Sequence, residues 1–317
     1  MNFLALLLGL ALERMLTHLF RLCEFRWLNP LFDACLRRLK KQSHFAGGAA
    51  VAAVKPASRW SAVAITVLLA VVLVLPVAVL SAVLYDEMLR IPYFLFAVVV
   101  LLFSLGPRDL DDEVEDYLTA LETGDEPARL RIAAQLLEVP SPTVEVASNE
   151  SIERAIYVQA NNRIFGVVFW FLVLGPSGAW AFRVLDLLRH RVEMNAEAVD
   201  AMAIDAVALN AVRTVHGVLA WPPSRLLSLG YALAGNFEDA MASWRNGARK
   251  AALPLAEGST ETMARVGTAA SGRGMPDASD PLEAMDRVRG ARALVLRTLW
   301  MIWCPVIAVL TLYDWLS

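Results

Sequence analysis

The chain has 317 residues, of which 57% are hydrophobic and 19% charged, with a mean hydropathy of +0.49 and a net charge of −3. The apolar excess predicts a polytopic membrane protein, and the charged share predicts sizeable solvated segments beside the spans. So small a net charge gives no indication of binding to nucleic acid or to an acidic partner.

Four apolar segments predict membrane helices: residues 1–12 continuing toward 22, 60–84, 91–105 and 293–313. The first lacks the basic start and the small-residue cleavage site of a signal peptide, so we interpret it as a retained membrane helix. Residues 21–59 contain eight Lys or Arg residues. By the positive-inside rule this segment is cytoplasmic, with the amino terminus and the 85–90 turn outside the inner membrane.

Segments 106–162 and 236–292 are then cytoplasmic as well, and both show the spacing of amphipathic helices. In the first, Asp125 is placed to cap a helix that follows a turn at Thr123-Gly124. An acidic cluster at residues 109–116 precedes this turn. This cluster is either a solvated face of acids that favour a helix start or a Mg²⁺-phosphate site, because hard cations take oxygen ligands. The metal candidates are Asp109, Asp111, Asp112 and Asp116.

Residues 163–188 are apolar enough for a membrane helix but are interrupted by Gly175-Pro176-Ser177-Gly178. Proline removes a backbone donor and glycine weakens a helix, so we expect two half-helices of about ten residues each. The segment is either a kinked pair of crossings or a re-entrant hairpin. The orientation favours the hairpin, because residues 163–235 must return to the side that they left.

No segment reads as a separately folded domain, so we treat residues 1–317 as one membrane domain. The fold class is all-α, with about four transmembrane helices, a broken or re-entrant helix and cytoplasmic amphipathic helices. Charged residues at the predicted cytoplasmic rim are either structural ion pairs or a polar site in which arginines clamp an anionic ligand. The ligand-binding candidates are Glu13, Arg14, Arg129, Arg163, Gly175, Pro176, Gly178, Arg183, Asp186, Arg213 and Arg225.

Four stretches of sequence resemble the AmpE family, inner-membrane proteins linked with β-lactamase induction in Gram-negative bacteria. More remotely, they resemble the CobD/CbiB family of membrane-bound adenosylcobinamide-phosphate synthases. The stretches are GLALERM (9–15), DYLTALETGDEPARLRIAAQLL (116–137), FWFLVLGPSGAWAFRVLDLL (169–188) and WPPSRLLSLGYALAGNFEDAMASW (221–244).

The resemblance carries a GPxGA…R element onto Gly175, Pro176, Gly178 and Arg183 and a PxRL element onto Pro223-Ser-Arg225-Leu226. It also carries an Ala-Arg pair onto Ala128-Arg129. The chain departs from the synthase pattern at its opening, where Glu13-Arg14 replaces a Gly-Asp-Pro element. A second departure is Gln159-Ala-Asn-Asn162, which stands where the synthases have a Glu-Asn…Asp pattern.

Three functions follow from these observations. The first is an AmpE-type accessory or signalling protein of the inner membrane, with a small anionic ligand bound at a cytoplasm-facing site beside the broken helix. The second is a nucleotide-dependent amide-forming synthase like CobD/CbiB, for which the resemblance implies Mg-ATP. The third is a small-solute transporter, because half-helix ends bind ions in such proteins. The lipid bilayer is the partner implied by all three, and the sequence gives no indication of oligomeric state.

Overall fold

The structure is a computed structural model that describes residues 56–86, 90–105, 110–139, 147–197, 204–250, 255–272 and 281–309. Every regular element in these ranges is helical, which confirms the all-α class. The predicted helix at residues 1–22 and the basic segment 21–55 lie outside the described residues. By its contacts the chain divides into two compact units: Met1–Pro107 with Val167–Leu219, and Arg108–Gly166 with Ala220–Ser317.

The described helices follow one another along the chain, and two segments have π-helical geometry. They are α1 (Pro56–Asp86), α2 (Arg90–Leu105), α3 (Leu110–Thr123), α4 (Glu126–Leu137), α5 (Asn149–Gln159), π1 (Ala160–Phe165), α6 (Gly166–Leu174), α7 (Pro176–Glu197), α8 (Ile204–Ala234), α9 (Phe237–Lys250), α10 (Leu255–Ala270), α11 (Pro281–Arg297) and π2 (Thr298–Trp303).

In the first unit, α1 and α2 pack against α7. The contact is apolar on both sides, with Trp180, Val184 and Leu188 of α7 buried in one cluster with Val100 of α2. The indole Nε1 of Trp180 donates a hydrogen bond to the carbonyl oxygen of Leu73 at 3.1 Å. Burial of this face therefore fixes which side of α7 is left for its charged residues.

In the second unit, α5 packs against α10 and α11, and α9 packs against α10. The hydroxyl of Tyr231 in α8 donates to the carbonyl oxygen of Tyr157 at 3.0 Å, inside the unit's core. The predicted turn between α3 and α4 is confirmed, because the side chain of Asp125 accepts from the backbone N–H of Ala128. Helix α4 ends at Leu137, followed by Glu138 in the left-handed conformation.

Among the residues that the structure describes, four helical runs are long and apolar enough to cross a membrane by length and composition: Trp60–Leu84, Ile91–Thr123, Asn149–Leu174 and Met285–Val309. Three of these runs overlap the predicted spans 60–84, 91–105 and 293–313, the predicted span 1–22 lies outside the described residues, and the third run was not predicted. The polar stretch before Arg163 was interpreted as cytoplasmic. In the structure the helix continues from α5 through π1 into α6, and Asn161 and Asn162 of π1 are buried inside the protein.

Helix α8 continues through Pro222 and Pro223. A proline inside a helix lacks the N–H that would bond to the carbonyl four residues earlier, which leaves the carbonyl of Leu219 without its partner at Pro223. The indole Nε1 of Trp170 donates to that carbonyl at 3.0 Å. A side chain therefore replaces the missing backbone hydrogen bond, and the helix is kept.

Candidate functional site

The interruption predicted at residues 175–178 is confirmed in the first unit. Gly175 has a φ of +69°, in the left-handed region that favours glycine, and it separates α6 from α7. A Cβ atom at Gly178 would lie 2.6 Å from the Cβ of Leu174 and would also overlap the carbonyl oxygen of Trp170. Only glycine fits at Gly178, because its backbone packs directly against the preceding helix.

The contact between Gly178 and Trp170 also describes the turn. Residues eight apart in one straight helix would be separated by about 12 Å along its axis. Here they touch, so the chain folds back at Gly175. Both a re-entrant hairpin and a kinked pair of crossings contain such a turn, so the choice between them stays a prediction. The predicted half-helix lengths were wrong on both sides, because α7 has 22 residues and α6 is the end of the 26-residue run Asn149–Leu174.

Arg183 and Asp186 lie on one face of α7, as their spacing predicts. The Nη1 atom of Arg183 is 3.2 Å from Oδ2 of Asp186, and Nη2 of Arg189 is 2.9 Å from its Oδ1. Nε2 of His216 in α8 is 3.6 Å from the same Oδ1 atom. Burial raises the pKa of Asp186, but Arg189, His216 and Arg183 outweigh it and hold that pKa at about 2. Asp186 is therefore a buried anion that two arginines already neutralise.

Arg213 is also paired in the first unit. Its Nε atom is 2.9 Å from Oε1 of Glu193, whose other oxygen is 2.7 Å from Nη1 of Arg189. The charges of α7 and α8 thus form a continuous network of ion pairs. Each arginine in it has a carboxylate within reach, which is the arrangement of a structural network.

Two further candidates are neutralised in the second unit. Nη1 of Arg163 lies 2.6 Å from Oε2 of the buried Glu113, and its Nε donates to Gln159. Nη2 of Arg129 lies 2.5 Å from Oε1 of Glu126. That hydrogen bond raises the pKa of Arg129 above its usual value. Both guanidinium groups therefore have an acidic partner inside their own unit.

Two carboxylates of the acidic cluster form ion pairs with an arginine and do not converge on a shared metal position. Arg292 forms two hydrogen bonds with Asp111 and a third with Glu115 at 2.9 Å. Asp112 and Asp116 are exposed. In the described ranges no three His, Cys, Asp or Glu side chains are grouped so as to hold a metal ion. Asp109, together with Glu13 and Arg14, lies outside those ranges, so the Mg²⁺ site stays a prediction.

Arg225 differs from the other candidate arginines. Its guanidinium carbon lies 6.0 Å from the ring centre of Trp221 and 5.5 Å from that of Trp244. Its Nη1 donates to Oγ1 of Thr262 at 3.5 Å, and that hydroxyl in turn donates to the carbonyl oxygen of Gly258 at 2.6 Å. We call Arg225, Trp221, Trp244 and Thr262 the Arg225 cradle.

The electrostatics of the Arg225 cradle are unbalanced. No ion pair joins Arg225 to an acid among the described residues, whereas Arg129, Arg163, Arg183 and Arg213 each have one. Burial lowers the pKa of Arg225, which reflects a charge that is partly removed from water. Indole faces attract a cation but do not neutralise it. The Arg225 cradle is therefore suited to receive an anion.

Sequence reasoning named Arg225 but not the residues around it. Trp221 precedes Arg225 by four positions in one helix, so its contact could have been predicted from the helical period. Trp244 and Thr262 belong to α9 and α10, and no local spacing connects them with Arg225. Their place in the Arg225 cradle follows from the packing of those helices.

Comparison with known proteins gives one family. The model of the family described as "Regulatory signalling modulator protein AmpE" matches residues 1–252. The Cobalamin biosynthesis protein CobD of Stutzerimonas stutzeri (strain A1501) is 26% identical over 158 residues, covering 48% of this chain and 48% of that protein. CobD of Chromobacterium violaceum is 26% identical over 154 residues, covering 47% and 46% respectively. The match thus spans about half the length of these curated relatives. No solved structure gives a significant match.

Proposed function

The chain belongs to the AmpE family and is a regulatory signalling membrane protein, and from this premise we propose that it modulates β-lactamase induction by binding a small anionic ligand at the Arg225 cradle. The proposal places it in the bacterial inner membrane, with the amino terminus outside, the large loops on the cytoplasmic side and the Arg225 cradle at the cytoplasmic rim. The basic segment 21–59 supports that orientation through the positive-inside rule.

The observation that carries the proposal is the absence of an acidic partner for Arg225 among the described residues. A partly desolvated charge without a counter-charge raises the free energy of the folded protein. A bound carboxylate or phosphate would supply that counter-charge. Arginine suits such ligands because its planar guanidinium donates two parallel hydrogen bonds to their oxygens.

The contacts of Arg225 also bear on which of its N–H donors a ligand could use. Trp221 and Trp244 lie near the guanidinium group within the range of a cation–π contact. Among the described side chains, one engages its N–H groups: the hydroxyl of Thr262 at 3.5 Å, which is at the long limit for a hydrogen bond. The remaining donors are available to an anion.

The test is β-lactamase induction in a Gram-negative host whose own AmpE gene is deleted. Wild-type protein should restore normal β-lactamase induction by an antibiotic. The Arg225→Ala protein should give the same induction as the deletion strain without any added protein. Arg245→Ala is the matched control, because Arg245 is an exposed arginine of α9 whose hydrogen bond within the described ranges is to the carbonyl oxygen of Met241 in its own helix. An Arg225→Ala protein that reaches the membrane in normal amount and restores the wild-type response would refute the proposal.

A second function is supported by the similarity to CobD. Under that alternative the protein is an amide-forming synthase that uses Mg-ATP, and acids such as Asp112 and Asp116 would face the metal. Their exposure leaves them accessible to such an ion. Equilibrium binding of Mg-ATP to the purified protein distinguishes the two functions. Saturable binding that is lost in an Asp112→Asn, Asp116→Asn double variant would favour the synthase over the signalling role.

A further inference from the structure

We propose that the ligand of the Arg225 cradle is an anionic phospholipid, with its phosphate at Arg225 and its hydrocarbon tail along exposed leucines of α8. The inference rests on the proposed function, because it names the chemical class of the anion that the same arginine binds. It adds an apolar half to the site.

The apolar half is a stripe on helix α8. Leu226, Leu229 and Leu233 are 37%, 41% and 58% exposed. They recur at intervals of three and four residues, so their side chains lie on one side of the helix. We call these three residues the leucine stripe. It begins one residue after Arg225 and runs away from it along the helix.

The opposite side of α8 fixes which way the leucine stripe faces. Leu227, Ser228 and Tyr231 are buried completely, and Tyr231 is held by its hydrogen bond to Tyr157. Gly230 packs so closely that a Cβ atom there would lie 2.7 Å from Cγ2 of Thr298. Helix α8 therefore cannot rotate to bury its leucines without breaking these contacts.

The leucine stripe lies outside the candidate membrane spans of the described residues. In the part of the chain that the structure describes, α8 is not one of the four runs that are long and apolar enough to span a bilayer. Isolated exposed leucines are ordinary, but three on one helix face beside an arginine that has no acidic partner among the described residues are amphiphilic in the same sense as a lipid. Charge complementarity then selects an anionic headgroup.

The tryptophans of the Arg225 cradle fit the boundary between headgroup and hydrocarbon. Trp221 is 44% exposed, and Trp244, the second indole near the guanidinium, is half-buried. Indoles favour this depth of a bilayer, because one edge is polar and the body is apolar. Arginine binds a phosphate with its fork of N–H donors while its methylene stem lies along apolar surface.

The experiment uses the full-length protein, purified in a neutral detergent and exchanged into known lipids. Native mass spectrometry counts the phosphatidylglycerol molecules that wild type retains in the presence of phosphatidylcholine. Arg225→Ala is expected to weaken retention about tenfold or more, because hydrogen bonds to charged groups are among the stronger ones. Arg225→Lys keeps the charge but loses the fork, so its retention should be intermediate, and Arg245→Ala should match wild type.

A second arm separates the tail from the phosphate. Glycerol 3-phosphate, which carries the same phosphate without a tail, is titrated into the same proteins by calorimetry. A Leu229→Ser, Leu233→Ser double variant should retain about tenfold less phosphatidylglycerol, since each buried methylene of a lipid chain contributes to binding. It should bind glycerol 3-phosphate as wild type does, which also shows that the variant is folded.

The outcomes are distinct. Retention of phosphatidylglycerol that is unchanged in Arg225→Ala, or unchanged in the double leucine variant, overturns the lipid assignment. Arg225-dependent binding of glycerol 3-phosphate as tight as that of the lipid overturns it too, but leaves the proposed anion site in place. If neither probe needs Arg225, the lipid assignment and the proposed function fail together.

Discussion

The guanidinium carbon of Arg225 lies 5.5 Å from the ring centre of Trp244, although the two residues belong to different helices. The contact brings a cation that has no acidic partner in the described part of the chain against an aromatic face. Cation–π contacts at such sites contribute about 0.5–1 kcal/mol, or more when the cation is desolvated. Helices α9 and α10 thus supply the tertiary part of the candidate anion site.

Substitution of Trp244 tests whether the indole holds Arg225 in place. Trp244→Ala should weaken binding of an anion at Arg225 several-fold, in keeping with the loss of one cation–π contact. Trp244→Phe keeps a smaller aromatic face and should lose less. Calorimetry with glycerol 3-phosphate measures both. Equal affinity in wild type and Trp244→Ala would show that the indole does not position the guanidinium.

Gly178→Ala should destabilise the turn between α6 and α7. The added Cβ would overlap Leu174 and the carbonyl of Trp170, so the backbone must shift. Overpacking of this kind costs about 1–3 kcal/mol. Ser177→Ala is the matched control, because it removes one hydroxyl that bonds to Leu174 and adds no atom. Thermal unfolding in detergent measures both, and equal melting temperatures would contradict the close packing.

Asp186→Asn should destabilise the first unit more than any loss of a surface ion pair. It leaves Arg183 and Arg189 in a buried place with their shared anion removed. Removing one partner of a buried pair costs about 3–5 kcal/mol. Glu122→Gln breaks the exposed pair with Arg289 and should cost less than about 1 kcal/mol. A similar loss of melting temperature in both variants would show that the α7 network is solvated.

The same carboxylate predicts a pH dependence. The pKa of Asp186 is lowered from 3.8 to about 2 in the folded protein. A lowered pKa means that the charged form stabilises the fold above the unfolded pKa, and this contribution is lost as the pH falls through the folded value. The difference in melting temperature between wild type and Asp186→Asn should therefore shrink as the pH is lowered from about 4 toward 2. A difference that stays constant over that range would mean that Asp186 is not held ionised.

The orientation is tested by reporter fusions. A reporter fused after residue 140 should be cytoplasmic, and one inserted at residue 87 should be external, because the basic segment 21–59 keeps its side of the membrane in the cytoplasm. Ser177→Cys extends the test to the turn. A re-entrant hairpin leaves this cysteine unlabelled by an impermeant thiol reagent from outside, whereas a pair of full crossings exposes it there.

Local helical geometry was predictable from the sequence. The cap at Asp125, the break at Gly175 and the pairing of Arg183 with Asp186 all depend on residues at most four apart, whose positions the helical period determines. The pairing of Arg163 with Glu113 joins residues far apart in sequence and depends on tertiary packing. The buried polar residue Asn161 in π1 misled the prediction for the same reason, because burial inside a unit has no local signature.

The most direct measurement is the NMR signal of the Arg225 side chain during an anion titration. Protein labelled with ¹⁵N-arginine is titrated with inorganic phosphate, and the Nε–H peaks are assigned by their absence in Arg225→Lys and Arg183→Lys. The Arg225 peak should shift saturably while that of Arg183 stays in place, since Asp186 already neutralises Arg183. A stationary Arg225 peak, or a saturable shift at Arg183 instead, would contradict the assignment of the anion site to Arg225.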